Sequence, residues 1–216
     1  MKCDRVMFVV NSCINVSYKP LSYSNSRSLF SAEERAKQTG KTIESIREKV
    51  PGAEIILVES GTSCDLPFNV NELADRYIYA GDNFFVRICA DGPFKGLGEA
   101  VSLISIIGLI DKSSYVFKLS GRYFLNDNFL LNQWISDDKI TFKFQNKDYI
   151  STVLYSVPYS KLGWWLFALF SCIPLLLLNR SIEYCLFRFI PKNFIHRIDD
   201  MGVSGYVAID GELFNG

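Results

Sequence analysis

The sequence predicts an α/β domain built on one largely parallel sheet. Three observations predict it: short β-rich apolar runs, segments of helical length alternating with them, and polar residues where the runs stop. A chain of 216 residues holds one substantial core, so a single domain over 1–216 is expected. Its 23 Lys and Arg balance 23 Asp and Glu, which leaves no global field to hold nucleic acid through counterion release. Nucleic acid is therefore not an expected partner. Apolar residues at 49% and aromatics at 14% exclude disorder and leave a surplus that something other than water is expected to cover in part.

Val6 to Val10 reads as the first strand and ends at Asn11 and Ser12. A polar, Ser-rich loop follows to about residue 30; loops of that length in compact domains are functional or disordered. Ser31 with Glu34 three positions on has the capping-box spacing, so AEERAKQTGKTIESIREKV is a helix, ended by Pro51-Gly52. AEIILVES (53–60) is a continuous apolar run stopping at Glu59 and Ser60, the pattern of a strand buried on both faces. After a loop and the short segment DRYIYA, a polar stretch runs to Phe94. KGLGEAVSLISIIGLIDK (95–112) then has the length of a helix, with Lys95, Gly96, Gly98 and Glu99 in its first turn. SYVFKLS is a third buried strand. KITFKFQ and DYISTVLYSV add two more strands to one side of the sheet, and GYVAIDGELF is a final β element. In such sheets ligands bind beyond the carboxyl ends of the strands. Asn11, Ser12, Glu59, Ser60, Ser120 and Arg122 all fall there.

The six cysteines, at 3, 13, 64, 89, 172 and 185, form no CxxC pair and read as buried free thiols in a reducing compartment. The start, MKCDRVMFVVNS, is charged and lacks the apolar segment of a signal peptide, so a cytoplasmic location is expected. Residues 163–178 are uncharged, bracketed by Lys161 and Arg180. This run is short for a membrane span and is interrupted by Pro174. Paired Trp164 and Trp165, with Arg180, Arg188, Lys192 and Arg197 downstream, would suit a helix in the headgroup layer at the inner face of a membrane. The other reading is a helix buried against the sheet.

RAKQTGKTIESIREKVPGAEIILVESGTS resembles the opening of nucleotide-sugar glycosyltransferases of the GT-A fold, in which a helix with a Thr-hydrophobic-x-Ser-Ile pattern leads into a strand ending in an acidic residue. KGLGEAVSLI followed by SYVFKLSGRYFLND resembles the next helix and strand in a branch of small bacterial and viral glycosyltransferase-like proteins. SIEYCLFRFI and MGVSGYVAIDG resemble that branch's closing segment. The resemblance spans roughly residues 1 to 210, through short and tolerant motifs. It implies a GT-A-like three-layer sandwich with a mostly parallel central sheet, a nucleotide-sugar-binding half over 1–135 and an acceptor-side half over 136–216. It further implies transfer of a sugar, hexosyl or pentosyl, from a nucleotide-diphosphate donor to a glycan or lipid-linked glycan, as in polysaccharide biosynthesis.

In that fold the strand in the place of SYVFKLS normally ends in Asp-x-Asp, whose carboxylates hold Mn2+ or Mg2+ on the donor diphosphate. Here the place reads Ser120-Gly121-Arg122. A hard cation wants oxygen ligands, and a guanidinium repels it. Either Arg122 with Lys95 neutralises the diphosphate directly, or Asp127 supplies a displaced metal ligand; the first, metal-independent solution is favoured. The expected donor-binding residues are Asn11, Ser12, Glu59, Ser60, Lys95, Gly96, Glu99, Ser120, Gly121 and Arg122. Each has an ordinary structural reading too: Glu59 as a solvated strand-end carboxylate, Lys95 as a helix-start lysine, Glu99 as a first-turn acid. Inverting transfer needs a carboxylate to take the acceptor proton. The candidates are Glu183, Asp127, Asp199 and Asp200, with Glu183 preferred; His196 reads as a surface group. The rival readings are a non-catalytic scaffold of the same fold and a peripheral membrane protein anchored through 163–197.

Overall fold

The structure is a computed structural model and describes residues 5–111, 114–136, 138–207 and 211–216. Cys3 and residues 208–210 of the expected last β element lie outside them, as does Lys112 at the end of the expected helix 95–112.

Strand β1 (Arg5–Ser12) is followed by helix α1 (Ala32–Lys49), strand β2 (Glu54–Glu59) and strand β3 (Arg76–Tyr79). Helices α2 (Phe84–Asp91) and α3 (Lys95–Ser105) lead to β4 (Ser114–Ser120), β5 (Tyr123–Leu125), the short helix α4 (Leu131–Trp134), β6 (Ile140–Phe144) and β7 (Ile150–Pro158). Helices α5 (Leu162–Leu177) and α6 (Ile182–Phe189) precede β8 (Ile195–Ile198), β9 (Val203–Tyr206) and β10 (Leu213–Asn215). Seven strands form the central sheet in the order β3-β2-β1-β4-β7-β6-β8. The first four run parallel, and β7 is antiparallel to both β4 and β6. Both halves of the chain thus feed one sheet.

Helix α1 starts where its capping box demands. The Ser31 hydroxyl accepts from the Glu34 amide at 3.2 Å, and a Glu34 carboxylate oxygen accepts from the Ser31 amide at 2.8 Å. Its buried stripe packs one face of the sheet in a core with Phe8, Ile55 and Phe117, while α3, α5 and α6 bury Met7, Ile56 and Val116 on the other. Two layers of helix on one sheet make the three-layer sandwich. Because the chain moves from β1 to β2 on one side and later crosses to β4 on the other, the order reverses between β1 and β4. That switch point is where an open α/β sheet presents a crevice.

Three local expectations are corrected. Helix α3 stops at Ser105, before a 3₁₀ turn over Ile107–Leu109, because the backbone leaves helical geometry at Ile106. The polar stretch before Phe94 contains α2, capped by the Asn83 side chain, which accepts from the Phe85 and Val86 amides. The expected terminal β element is present as β9 and β10, which with β5 form a separate three-stranded sheet, β10-β9-β5, but the cysteines depart from the expected burial. Among the described cysteines Cys172 and Cys185 are buried, but Cys64 is exposed and Cys13 and Cys89 are half-buried.

Helix α5 absorbs Pro174 and buries one face, Leu162, Trp165, Ala168, Leu169, Cys172 and Leu176, against the sheet. Trp165 donates its indole N–H to the Tyr155 hydroxyl at 3.2 Å. By length and composition the segment Tyr159–Leu177 could cross a membrane. Its buried face is, however, part of the sheet's own core.

Candidate functional site

A cavity of about 450 Å³ opens at the switch point. Its floor comes from the carboxyl ends of β1 and β4, which the parallel register sets side by side with Asn11 opposite Ser120. Gly121 turns the chain there, its amide donating to the Asn11 carbonyl at 3.0 Å and its carbonyl accepting from the Thr39 hydroxyl at 2.8 Å. A side chain at this position would stand 3.0 Å from Ser12 Cβ and 3.2 Å from Thr39 Oγ1, so glycine alone lets strand and helix close up. The amino end of α3 contributes Lys95, Gly96 and Glu99, and the start of α6 contributes Glu183.

Of the residues singled out in the sequence, Asn11, Ser12, Ser60, Lys95, Gly96, Glu99, Ser120, Gly121, Arg122 and Glu183 all line this cavity. Segments separated by up to 172 positions thus meet in one place. Glu59 and Asp127 do not. Glu59 is fully buried beneath the floor, where one carboxylate oxygen accepts from the Ile14 amide at 2.8 Å and the Gly61 amide at 2.6 Å, and the other from the Ser12 hydroxyl. Burial pushes its carboxyl up while these hydrogen bonds pull it down. It is neither a donor contact nor a solvated carboxylate; it fixes the loops that form the rim. Asp127 is almost fully exposed and pairs with Lys49 at 2.7 Å, which holds its carboxyl below the usual range. It lies outside the cavity, which removes the position its catalytic and metal-binding roles required. Asp199 and Asp200 are exposed and also do not line the cavity, and His196 sits in β8 with its Nδ1 3.4 Å from the Thr141 hydroxyl.

Three arginines join the site that the motif reading missed. Arg27 comes from the long loop and donates to the carbonyls of Ala90 (2.9 Å), Asp91 (2.7 Å) and Gly92, strapping the loop across the turn between α2 and α3. Arg35 is buried on α1, with Nε on the Cys13 carbonyl at 2.7 Å and Nη1 on the Ser28 hydroxyl at 3.0 Å. Its signal was present in the sequence: positions 35, 39, 43 and 46 are one helical stripe, and a charge on a buried stripe needs a partner. Arg180 follows α5 and lines the rim.

The electrostatics follow from the roster. Arg27, Arg35, Lys95, Arg122 and Arg180 face two carboxylates, Glu99 and Glu183. Glu99 is already committed to Lys118, a buried cation whose ammonium reaches Glu99 at 2.5 Å, Ser120 at 2.8 Å and the Thr152 carbonyl at 2.6 Å. Lys95 has no hydrogen-bond or ion-pair partner among the described residues, and Arg122 spends one N–H on the Tyr206 carbonyl at 2.9 Å. Lys95 is an exposed residue whose ammonium turns toward the cavity wall; partial loss of its water, then the neighbouring Arg122, pulls it below the usual lysine range. Burial, then Arg35, pushes Arg122 down to about 10. Neither has an ion-pair partner among the described residues, the electrostatic condition of a polyanion site.

The same roster tests a divalent cation. Mn2+ and Mg2+ want several oxygen ligands, but among the described residues no three metal-ligating side chains are grouped. Glu99 is paired with Lys118, and Arg122 lines the cavity directly after Gly121. The residues present do not fit such an ion.

No family model matches the sequence, and no curated protein matches it. Solved structures do. The chain is similar to 4-diphosphocytidyl-2C-methyl-D-erythritol synthase from Anaerococcus prevotii, with TM-score 0.52, 13% identity, and 91% of this chain and 87% of that one covered. It is similar to a glycosyltransferase involved in glycosylation of the major capsid of PBCV-1, with TM-score 0.50, 8% identity and coverage of 90% and 82%. The bifunctional glycosyltransferase WbbM matches with TM-score 0.50, 8% identity and coverage of 90% and 38%. The chain has a GT-A-like fold. At these identities the likeness speaks to architecture alone.

The Glu59 clamp carries a direct expectation. Glu59→Ala leaves the Ile14 and Gly61 amides buried without an acceptor, and each unmet donor costs about 1–3 kcal/mol. Glu59→Gln keeps a carbonyl for both. Denaturant unfolding should show the Ala variant several kcal/mol less stable and the Gln variant close to the parent; equal midpoints for parent and Ala variant would contradict the clamp.

Proposed function

We propose that the chain is a glycosyltransferase that takes a sugar from a nucleotide-diphosphate donor, and that its cations do the work a metal ion does elsewhere in the fold. The carrying observation is the pair of uncompensated cations, Lys95 and Arg122, at the switch point of a GT-A-like sheet. The named glycosyltransferases among the structural neighbours support the reaction class.

In this reading the donor diphosphate lies over Gly121 and the amino end of α3, where helix amides and Lys95 meet it from one side and Arg122 from the other. Glu183 is the base. It lines the cavity, accepts from the Thr152 hydroxyl at 3.0 Å, and has no other hydrogen bond among the described residues. The acceptor hydroxyl oxygen bonds to the anomeric carbon as the bond from that carbon to the diphosphate breaks. The hydroxyl proton passes to Glu183, and the bonding pair leaves on the nucleoside diphosphate, whose new negative charge the cations stabilise. The acceptor is a glycan or lipid-linked glycan, approaching from the side of α6.

The experiment is donor turnover in chelator, following nucleoside diphosphate release from a panel of UDP-, GDP- and dTDP-sugars, with a CMP-sugar, which can release only the monophosphate, as the control. Release from at least one donor is expected, reduced about a hundredfold or more in Glu183→Gln with donor binding retained. A folded protein that binds none of the donors would overturn the reading and leave a non-catalytic member of the fold.

Alkaline pH gives a second test. The Lys95 ammonium is present below its lowered pKa and lost as pH rises through it, so its contribution to nucleoside diphosphate affinity falls as pH rises, earlier than for an ordinary lysine. Titration calorimetry across that range should show affinity falling in the parent. Lys95→Met should be weaker by about tenfold at neutral pH, the cost of one charge-assisted hydrogen bond, and should show a smaller alkaline decline than the parent, the remainder belonging to Arg122, which is pushed down to about 10. A variant that matches the parent at every pH would exclude Lys95 from the phosphate contact.

A further inference from the structure

Helix α5 buries one face and turns the other outward. Trp164, Phe167, Phe170, Leu177 and Leu178 are exposed by between 46% and 73%. Helix α2 adds Phe84, Phe85 and Ile88, exposed by between 54% and 71%. A groove of about 430 Å³ joins the two, floored by Leu97, Val101 and Ile104 of α3 and walled by Phe85, Phe170 and Leu177. An apolar expanse of this kind marks an interaction surface rather than scattered exposure.

We propose that the α2–α5 face seats the protein on an anionic phospholipid bilayer, its aromatic and leucine side chains entering the boundary between headgroups and acyl chains. Charge decides the occupant. No charged residue occurs from Leu162 to Asn179, and the charges of α2, Arg87 and Asp91, pair with each other while Arg87 also reaches inward to the Ser60 carbonyl at 3.0 Å. Cations mark both ends of α5. Arg180, exposed, follows Leu178 and has no acidic partner among the described residues. Lys192, also exposed, lies on the turn whose Phe194 ring meets Trp164 at 5.5 Å between centroids. The carboxylates at its margins are Asp82, before α2, and Asp138, which pairs with Lys161 at the start of α5.

Apolar side chains between two basic ends, with a tryptophan at one of them, is the arrangement that lies in a membrane interface. A protein partner would be expected to meet a polar rim and hydrogen bonds, which the walls of this groove do not offer. A full crossing is a different matter. Lifting α5 into the bilayer would strip Trp165, Leu169 and Cys172 from the sheet and open that core to water.

The same surface sets the orientation of the cavity. Asn179, Arg180 and Ser181 follow α5 directly and form its exposed rim, so docking brings the opening to the lipid boundary. A lipid-carried acceptor then follows, a step that rests on the function proposed above. The docking itself does not.

The test uses the full chain with vesicles of phosphatidylcholine alone and of equal parts phosphatidylcholine and phosphatidylglycerol, read by co-sedimentation and tryptophan emission. Trp164 is the exposed indole, whereas Trp134 and Trp165 are 1% exposed. Binding to the anionic vesicles with a blue shift that Trp164→Phe removes is expected. Phe167→Glu with Phe170→Glu should lower vesicle affinity by about tenfold or more, since two buried rings become charges. Both sites are exposed, so the fold should persist; unchanged nucleoside diphosphate affinity in this variant checks that and separates failure of docking from failure of the proposed activity. No sedimentation with anionic vesicles, sedimentation that ignores the double variant, or a lipid-free dimer that the double variant converts to monomer would each overturn the proposal.

Discussion

A carboxylate that never meets solvent organises the cavity. Glu59 ends β2 and takes three hydrogen bonds, from the Ser12 hydroxyl and the amides of Ile14 and Gly61. A buried charge is tolerated only when such bonds replace its water, and each bond here also fixes a piece of loop. With residues 12–14 held, Arg35 can lodge on the Cys13 carbonyl. With the start of the loop fixed, Arg27 can strap its far end to the α2–α3 turn. The strand-end loops are therefore set before any ligand arrives.

What they frame is a cavity in which positive charge is deliberately left over by the packing. Lys118 neutralises Glu99 from beneath, and the carbonyls that hold Arg27 and Arg35 orient these guanidinium groups without removing their charge. Lys95 and Arg122 remain uncompensated. Loss of water, then the like charge of Arg122, pulls the Lys95 ammonium down; an incoming diphosphate would relieve the second of these costs. A metal would meet repulsion from the same groups. The site thus has the chemistry of an anion site, and among the described residues no three metal-ligating side chains are grouped in it.

Much of this was legible in the sequence, for identifiable reasons. Continuous apolar runs ending at Asn11, Glu59 and Ser120 gave parallel strands whose polar ends share one edge, and the spacing of Ser31 and Glu34 gave the start of α1. Those signals are local. The role of Glu59 was not legible, because a strand-end carboxylate that faces a ligand and one that turns under its neighbouring loops read alike. Asp127 looked suitable by proximity to Arg122 in sequence, yet the short strand β5 carries the chain away from the cavity, and Lys49 claims it. Arg27 and Arg180 entered from a loop and a helix end, where sequence order says nothing about which cleft a long side chain reaches. The two-sided character of α5 was legible only as an uncharged run; which residues face the sheet is decided by packing against Tyr155 and its neighbours.

The account stands on cations rather than a metal gripping a diphosphate. The most direct measurement is calorimetric titration of UDP, and of GDP if UDP is silent, into protein stripped by chelator, repeated with Mn2+ and with Arg122→Ala. The account expects binding in chelator, little gain from Mn2+, and a loss of about tenfold or more in the variant. Binding that appears only when Mn2+ is added, and that survives removal of Arg122, would contradict it.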